Sequence, residues 1–240
     1  MKKLVVILIA VTFFADIFAR TASEELPIPF HRQIFMGENQ RKIEIDYASN
    51  KDLLNILLLL PDSVFGWRLE DRKKWYNEVK SNNFWITNDT YHFDGWRCLR
   101  PNSICFIVME TTWCVSLYKA SDNSFIVISH EQVASSSHIN IFEIKDNKIV
   151  ANLSFECLFG DYFEQLGMNL SQECNERFEK IEDLFFFEWL SFDFSDENIV
   201  VVYSWSTKKD RFEDCLKGNT ILYKFNPETK RFDISKIYWR

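Results

Sequence analysis

Three residues in the first half of the chain alternate in a way that suits a ligand-binding strand. His92, Asp94 and Trp96 are two residues apart, so one face of a β-strand would carry all three. An indole can stack on a sugar ring, and a carboxylate accepts hydrogen bonds from its hydroxyl groups. The alternative is the outer face of a strand whose other face, with Tyr91 and Phe93, packs on the core. The spacing therefore predicts a surface for a glycan or another polar ligand.

A second group, His130, Glu131 and His138, offers two imidazoles and a carboxylate around a polar loop. Two strands joined by that loop could bring the histidines face to face, and these side chains are ligands of transition metals. The alternative is a pair of histidines bonded to backbone or water, because no third strong ligand stands at a motif spacing. We therefore predict neither a metal nor another cofactor, and these residues are the weak candidates for a metal site.

The first three cysteines, Cys98, Cys105 and Cys114, lie in a segment of short predicted strands. A two-residue turn at Pro101-Asn102 places Cys98 opposite Cys105, and it also places Leu99 opposite Ile104. A turn at Met109-Glu110 would instead place Cys105 opposite Cys114. Both arrangements bring two cysteines within the Cα separation of a disulfide. We predict the disulfide Cys98–Cys105, with Cys114 as the competing partner.

The other three cysteines are Cys157, Cys174 and Cys215. Cys157 and Cys174 bracket a short stretch and form the other local pair, so we predict the disulfide Cys157–Cys174. Cys114 and Cys215 are then either joined or free. An even number of cysteines in an exported chain permits three disulfides. The alternative is that the cysteines are buried thiols of the core, and the absence of any C-x-x-C spacing argues against zinc knuckles and redox centres.

Motifs of the common catalytic sites are absent from the chain. There is no G-x-S-x-G, H-E-x-x-H, P-loop or G-x-G-x-x-G. Only 6 of the 240 residues are glycine, well below the average of about 7%, and phosphate-binding loops and strained catalytic turns use glycine. Carboxylate pairs for glycoside hydrolysis are defined by separation in space, so the 35 acidic residues offer too many candidates. We favour a protein that is not an enzyme and retain a carboxylate-dependent hydrolase as the alternative.

The secondary-structure elements that position these residues are predicted from the spacing of apolar residues, which changes along the chain. Helical spacing of apolar residues predicts helices over 49–60 and 70–80, and Ser49 followed by Asp52 resembles a capping box at the start of the first helix. Alternation then predicts a long series of strands. A second set of helices and strands follows. The strands are predicted at 84–87, 91–99, 103–109, 113–119, 124–129, 138–144, 148–153, 190–194, 199–205, 220–225 and 231–237, and the later helices at 160–170 and 175–189. Turn residues between the strands include Ser121-Asp122-Asn123 and Asp146-Asn147, and the second of these predicts a two-residue hairpin turn that pairs Ile144 with Ile149. Short links between successive strands predict an α+β fold of antiparallel β meanders with N-terminal helices and one helix between the two strand groups.

The N-terminus has the layout of a secretory signal. Met1-Lys2-Lys3 is basic, and the apolar stretch Leu4–Ala19 is short for a membrane span. We predict a signal peptide over 1–19 and a single α+β domain over 20–240, with a subdomain division near 155–190 as the alternative. An uncleaved signal would be the one membrane attachment.

The charge balance bears on the partners. The chain has 28 Lys and Arg against 35 Asp and Glu, a net charge of −7, whereas nucleic acids and anionic membranes attract a positive field. We therefore expect a protein or a glycan as partner and no nucleic acid; the oligomeric state does not follow from the sequence.

The segment from Leu57 through Pro61-Asp62-Ser63, followed by Asp71-Arg72, resembles a family of exported Bacteroidetes proteins of unknown function. In that family a leucine-rich helix leads into Pro-Asp-Ser, a helix with an arginine, and antiparallel strands. This chain departs from it at Gly66-Trp67. The resemblance implies a periplasmic, cell-envelope or secreted location and no known activity.

The sequence thus favours an exported, non-catalytic binding module for a glycan or a protein. A carboxylate-dependent hydrolase and an inhibitor of a secreted enzyme, in which an acidic protein covers a basic cleft, are the alternatives.

Overall fold

The computed structural model describes residues 42–64, 68–87, 95–108, 111–133, 136–167, 171–182, 190–194, 198–204 and 207–240. These residues all belong to one unit, 34–240. The predicted signal peptide at 1–19 lies outside the described residues and stays a prediction. None of the described helices is long and apolar enough to cross a bilayer.

The N-terminal part of the unit contains two helices and a small sheet. Strand β1 (Lys42–Glu44) pairs with β2 (Trp85–Thr87), and helices α1 (Tyr47–Leu57) and α2 (Leu69–Ser81) lie between them in the chain. Helix α1 begins earlier than the sequence predicts, because Asp46 rather than Ser49 is its N-cap: the Asp46 carboxylate accepts a hydrogen bond from the Ala48 amide at 3.1 Å. An Asp at this position satisfies amide groups that have no partner within the helix.

An ion pair between the buried Arg72 and the exposed Asp62 links α1 to α2 and explains the motif on which the family resemblance rests. Arg72 of α2 is fully buried, and its guanidinium donates to the Leu57 carbonyl oxygen at 2.6 Å and to Asp62 Oδ1 at 2.7 Å. The Leu69 amide also donates to Asp62 at 2.7 Å, and this hydrogen bond lowers the pKa of the Asp62 carboxyl. The leucine-rich helix, Pro-Asp-Ser and arginine are therefore parts of a structural link between two helices.

Six strands form one antiparallel meander in the order β3 to β8. They are β3 (Gly95–Leu99), β4 (Ser103–Val108), β5 (Thr111–Lys119), β6 (Phe125–Val133), β7 (Ser136–Lys145) and β8 (Lys148–Leu153). The hairpin predicted at Asp146-Asn147 is confirmed, with Ile144 opposite Ile149. Both turn residues have positive φ, 50° and 58°, as a two-residue hairpin turn of matching twist requires, and Asn and Asp tolerate this conformation.

A helical connection leads to a second antiparallel meander. The helices are α3 (Phe155–Phe159), α4 (Tyr162–Gln165) and α5 (Gln172–Glu182). The strands β9 (Leu190–Asp193), β10 (Ile199–Ser204), β11 (Thr220–Asn226) and β12 (Arg231–Tyr238) follow, with α6 (Lys209–Phe212) before β11. The predicted α+β class is confirmed. The connection contains three described helices where the sequence indicated one clear helix, because α3 and α4 are too short to show a helical period.

The six-stranded sheet has a buried core on each face. Along β5, Val115 and Leu117 belong to the core that contains Leu53 and Trp75 of the helices. Tyr118, on the other face, belongs to the core formed with the second sheet and α3 to α5. Because side chains alternate along a strand, the six-stranded sheet is the middle of three layers.

Candidate functional site

The predicted ligand-binding triad falls mostly outside the described part of the chain. His92 and Asp94 lie outside it, and Trp96 is described only by its backbone position in β3. The prediction that these residues bind a glycan therefore stays a prediction.

The histidines at the β6–β7 connection do not face each other, so the arrangement that a metal site would need is not formed. In the register of this hairpin His130 lies opposite Ile139, and Glu131 lies opposite His138. His138 is one residue away from Ile139, the residue opposite His130, so the two histidines lie on opposite faces of the sheet. His138 is exposed, whereas His130 is 3% exposed and its ring contacts Phe192 and Phe194 with centroids 5.5 Å apart.

Burial sets the chemistry of His130. It lowers the pKa of this imidazole to about 4, so the ring is neutral at physiological pH. Its Nε2 lies 3.4 Å from Ser137 Oγ. Within the ranges that the structure describes, no three His, Cys, Asp or Glu side chains converge as a metal site would require. His130 is therefore a neutral polar group within the core between the two sheets.

The described part of the chain contains two disulfides, and neither is a predicted one. Cys105 is bonded to Cys114 and Cys174 to Cys215, whereas Cys157 is a free, exposed thiol. The predictions Cys98–Cys105 and Cys157–Cys174 are therefore wrong, and Cys114 and Cys215 are neither free nor joined to each other. Disulfides are typical of proteins in an oxidising, exported environment.

The hairpin register that suggested Cys98–Cys105 is nevertheless confirmed. Cys98 lies opposite Cys105, and Leu99 lies opposite Ile104. The Arg100 amide donates to the Ser103 carbonyl oxygen at 2.7 Å, and opposite pairs alternate along an antiparallel ladder, so Cys98 and Cys105 form a hydrogen-bonded pair.

The neighbouring pair has the other ladder geometry. The amide and carbonyl of a strand residue point toward the same neighbouring strand. With the residue opposite it on the second neighbouring strand it therefore forms a non-hydrogen-bonded pair, in which the two side chains are closer. Cys105 and Cys114, opposite each other across β4 and β5, are such a pair, with Cα atoms 4.2 Å apart. The closer approach of the side chains at this position favours Cys114 over Cys98 as the partner of Cys105.

A small cavity lies elsewhere, where two β-turns meet α1. It has a volume of about 190 Å³. We call it the hairpin groove. Its lining residues are Asp52, Asn55 and Ile56 of α1, Asn123 and Phe125 of the β5–β6 connection, and Ile144, Asp146 and Asn147 of the β7–β8 hairpin.

The hairpin groove combines an apolar floor with a polar rim. Ile56 and Ile144 are 3% and 2% exposed, and Phe125 is half-buried. The polar side chains are two carboxylates and three amides, and no Lys or Arg is among the described residues that line the groove. Asp52 and Asn55 reach it together because residues three apart share a helix face. The rim can both donate and accept hydrogen bonds, whereas its formal charge is negative.

Ion pairs fix the turn that carries Asn123. The Asp122 carboxylate accepts hydrogen bonds from the Ser124 hydroxyl at 2.6 Å and from the ammonium groups of Lys230 and Lys145 at 2.9 and 3.0 Å. The Ser124 hydroxyl, followed by the two ammonium groups, holds the pKa of Asp122 well below its usual range. Lys230 also contacts Glu143 at 2.5 Å, so β7 and the β11–β12 turn support the same wall of the groove.

Sequence reasoning identified the two turns of the groove but not the groove. Ser121-Asp122-Asn123 and Asp146-Asn147 are evident turn signals, and positive φ at Asn123, 63°, fits its residue type. Their convergence on Asp52 and Asn55, about 70 or more positions earlier in the chain, depends on how α1 packs across the sheet.

Comparison with known proteins places the fold but no activity. No family model matches the chain, and no curated protein matches it. The structure is similar to a domain of an uncharacterised protein from Porphyromonas gingivalis W83, with a TM-score of 0.53 and 12% sequence identity, over 77% of this chain and 98% of that one. This neighbour comes from a Bacteroidetes bacterium, which agrees with the resemblance seen in the sequence; the similarity is one of fold.

Proposed function

We propose that this protein is an exported, non-catalytic binding module that holds one neutral sugar unit of a glycan in the hairpin groove. The observation that supports this proposal is the groove, in which carboxylates and amides surround an apolar floor. A sugar ring has hydroxyl groups at its edge and an apolar C–H face. Amide groups can donate to and accept from such hydroxyls, carboxylates accept from them, and Phe125 offers an aromatic surface.

The size and charge of the groove narrow the ligand. Its volume of about 190 Å³ is below the roughly 300–1,000 Å³ of sites for drug-sized molecules, and one ring of a longer chain would occupy it. Asp52 and Asp146 repel anions, and the part of the groove that the structure describes has no basic side chain to bind them. The ligand is therefore neutral, and acidic sugars bind less well.

Preorganisation supports binding at this place. The Asp122 ion pairs and the Ser121 amide, which donates to the Pro227 carbonyl oxygen at 3.1 Å, hold the turn that carries Asn123 before a ligand arrives. A rim that is already ordered loses less conformational entropy on binding. The two disulfides and the likeness to a protein of a Bacteroidetes bacterium support a location in the periplasm, the cell envelope or the extracellular medium, and membership of the exported family that the sequence resembles.

Saturation-transfer NMR with a panel of neutral sugars tests the proposal. Glucose, galactose, mannose, fucose and N-acetylglucosamine are compared, each against its uronic acid where one exists. We expect signals from at least one neutral sugar and weaker signals from the matched uronic acid. Affinity for the bound sugar is then measured by calorimetry.

Three variants locate the binding site. Asn147→Gly removes an amide while keeping a residue that tolerates positive φ, and Asp52→Asn removes one carboxylate; each should weaken binding about tenfold, the effect of losing one good hydrogen bond. Asp210→Asn is the matched control, because Asp210 is exposed and outside the groove. Equal affinity in all three variants would show that the groove is not the site.

The hydrolase alternative gives a different result in the same samples. If Asp52 and Asp146 cleave the glycan, new reducing ends appear with time and Asp146→Asn stops their release. A non-catalytic module leaves the glycan intact. Inhibition of a secreted enzyme stays a prediction from the acidic balance of the chain.

A further inference from the structure

Three cysteines stand in one row across three neighbouring strands. Cys98 of β3 lies directly opposite Cys105 of β4, and Cys105 lies directly opposite Cys114 of β5. Residues that are directly opposite lie on the same face of a sheet. The middle cysteine thus has a cysteine neighbour on each side, a placement that is separate from the hairpin groove.

The bonding of the six cysteines leaves the row with an odd member. Two disulfides use four cysteines, and Cys157 is free. No intrachain cysteine therefore remains as a partner for Cys98. The row has one disulfide for three cysteines, and the central residue, Cys105, has two neighbours able to bond to it.

We propose that Cys98 and Cys114 compete for Cys105 by thiol–disulfide exchange, which makes the row an internal disulfide switch. The Cys98 thiol loses its proton to solvent, and the thiolate attacks Cys105 Sγ. The Cys98–Cys105 bond forms as the Cys105–Cys114 bond breaks, and Cys114 leaves as a thiolate that takes a proton from solvent. One disulfide and one thiol are present before and after, so no oxidant or reductant is consumed.

The ladder geometry permits both bonded states. Cys105 and Cys114 are a non-hydrogen-bonded pair with Cα atoms 4.2 Å apart. A hydrogen-bonded pair such as Cys98 and Cys105 has a Cα separation of about 5.5 Å, which is the commonest separation in disulfides.

Exchange would change which strands are covalently joined. The Cys105–Cys114 bond joins two inner strands of the meander and leaves β3, the first strand of the sheet, held by hydrogen bonds. The Cys98–Cys105 bond instead fastens β3 to β4. A β-bulge between Trp96 and Cys98 interrupts the β3–β4 ladder beside this bond. The switch therefore controls how firmly this edge strand is attached.

The sequence makes the switch easy to measure. Trypsin cleaves after Arg97 and Lys119 but not at Arg100, which precedes Pro101, so one tryptic peptide, 98–119, contains all three cysteines. The position of a single alkyl group in that peptide identifies the free thiol. Cleavage after Glu110 provides a second readout, because it releases 111–119 only from the Cys98–Cys105 form.

The experiment uses the mature protein without reductant. The protein is held at about pH 8.5, near the ordinary pKa of a thiol, or at lower pH, quenched with acid, unfolded and treated with N-ethylmaleimide. We expect alkylated Cys114 to appear alongside alkylated Cys98. Its rate of appearance should rise about tenfold per pH unit below pH 8.5, because the thiolate is the attacking species. Alkylation of Cys98 alone at every pH and time would overturn the proposal.

Two single variants test whether Cys98 can form a disulfide with Cys105 or only lies beside it. In Cys114→Ala, oxidised glutathione should produce a Cys98–Cys105 disulfide, whereas Cys105→Ala should leave Cys98 and Cys114 alkylatable. The Cys174–Cys215 disulfide, which re-forms in the same samples, reports that each variant is folded and oxidised. Free Cys98 and Cys105 in Cys114→Ala with an intact Cys174–Cys215 bond would also overturn the proposal.

Discussion

Removing the Cys174–Cys215 disulfide should destabilise the protein more than removing Cys105–Cys114. The first bond joins α5 to the segment after α6 and has a sequence separation of 41, whereas the second has a separation of 9. A disulfide restricts the unfolded chain in proportion to the logarithm of the loop that it closes. The loop-entropy relation gives about 3.9 kcal/mol for the longer loop and about 2.6 kcal/mol for the shorter one at 25 °C.

The assay is urea unfolding of two double variants, Cys174→Ala with Cys215→Ala and Cys105→Ala with Cys114→Ala. Cys174 and Cys215 are 3% and 1% exposed, so alanine introduces no buried polar group. Domains of this kind have unfolding free energies of about 5–15 kcal/mol, so both variants should fold with clearly lower urea midpoints. The difference between them should be about 1.3 kcal/mol.

A single substitution provides the control. Cys157→Ala removes an exposed free thiol, and surface substitutions of this kind change the free energy of unfolding by less than about 0.5 kcal/mol. Arg177 remains as a noncovalent link in the long-loop variant, since it donates to the Arg211 carbonyl oxygen at 2.8 Å and to Asp214 at 2.9 Å. A loss from the long-loop variant no larger than that from the short-loop variant would refute the argument from loop length.

Three further perturbations test the link between the helices, the buried histidine and a close backbone contact. Asp62→Ala deprives the buried Arg72 guanidinium of its carboxylate and should lower the free energy of unfolding, because a buried charge loses its partner. Thermal and urea unfolding measure the loss, and no change would contradict a structural role for the pair. Burial lowers the pKa of His130 to about 4 in the folded state, against an ordinary 6.5, so the unfolded state takes up a proton at a higher pH than the folded state. The free energy of unfolding should therefore be highest above pH 6.5 and fall by about 3 kcal/mol between pH 6.5 and pH 4. His130→Gln should lose this part of the pH dependence of the urea midpoint, and an identical pH profile would refute it. A Cβ at Gly218 would lie 2.5 Å from the Tyr238 carbonyl oxygen, so Gly218→Ala should lower the free energy of unfolding by about 1–3 kcal/mol. An unchanged melting temperature would show that the end of β12 moves away from the new side chain without loss of stability.

Much of the secondary structure was predictable because its causes are local. The alternation of apolar residues predicted most described strands to within a few residues, and β8 matches at both ends, 148–153. The turn at Asp146-Asn147 and the register of Cys98 with Cys105 also followed from turn chemistry. Local steric preference and a period of two are sufficient for these results.

The start of helix α1 and the placement of His130 and His138 did not follow from the sequence. Helix α1 begins at Tyr47 because Asp46 accepts the first amide hydrogen bonds, although Ser49 is also a residue that favours N-caps. Two strands joined by a loop could have brought His130 and His138 face to face, but the register places His138 opposite Glu131, one residue along from the partner of His130. A one-residue offset moves a side chain to the other face of a sheet, and loop residues alone do not determine it.

Sequence by itself determined that this chain folds as antiparallel meanders with helices before them, since period and turn residues are properties of short segments. Tertiary structure decided which cysteines bond and which polar residues meet. Cys105 has a cysteine opposite it on both sides, and the choice depends on which neighbouring strand receives its backbone hydrogen bonds. Asp52 meets Asn123 and Asp146 only because α1 packs on the sheet near two turns that come much later in the chain, and such long-range contacts depend on the whole core.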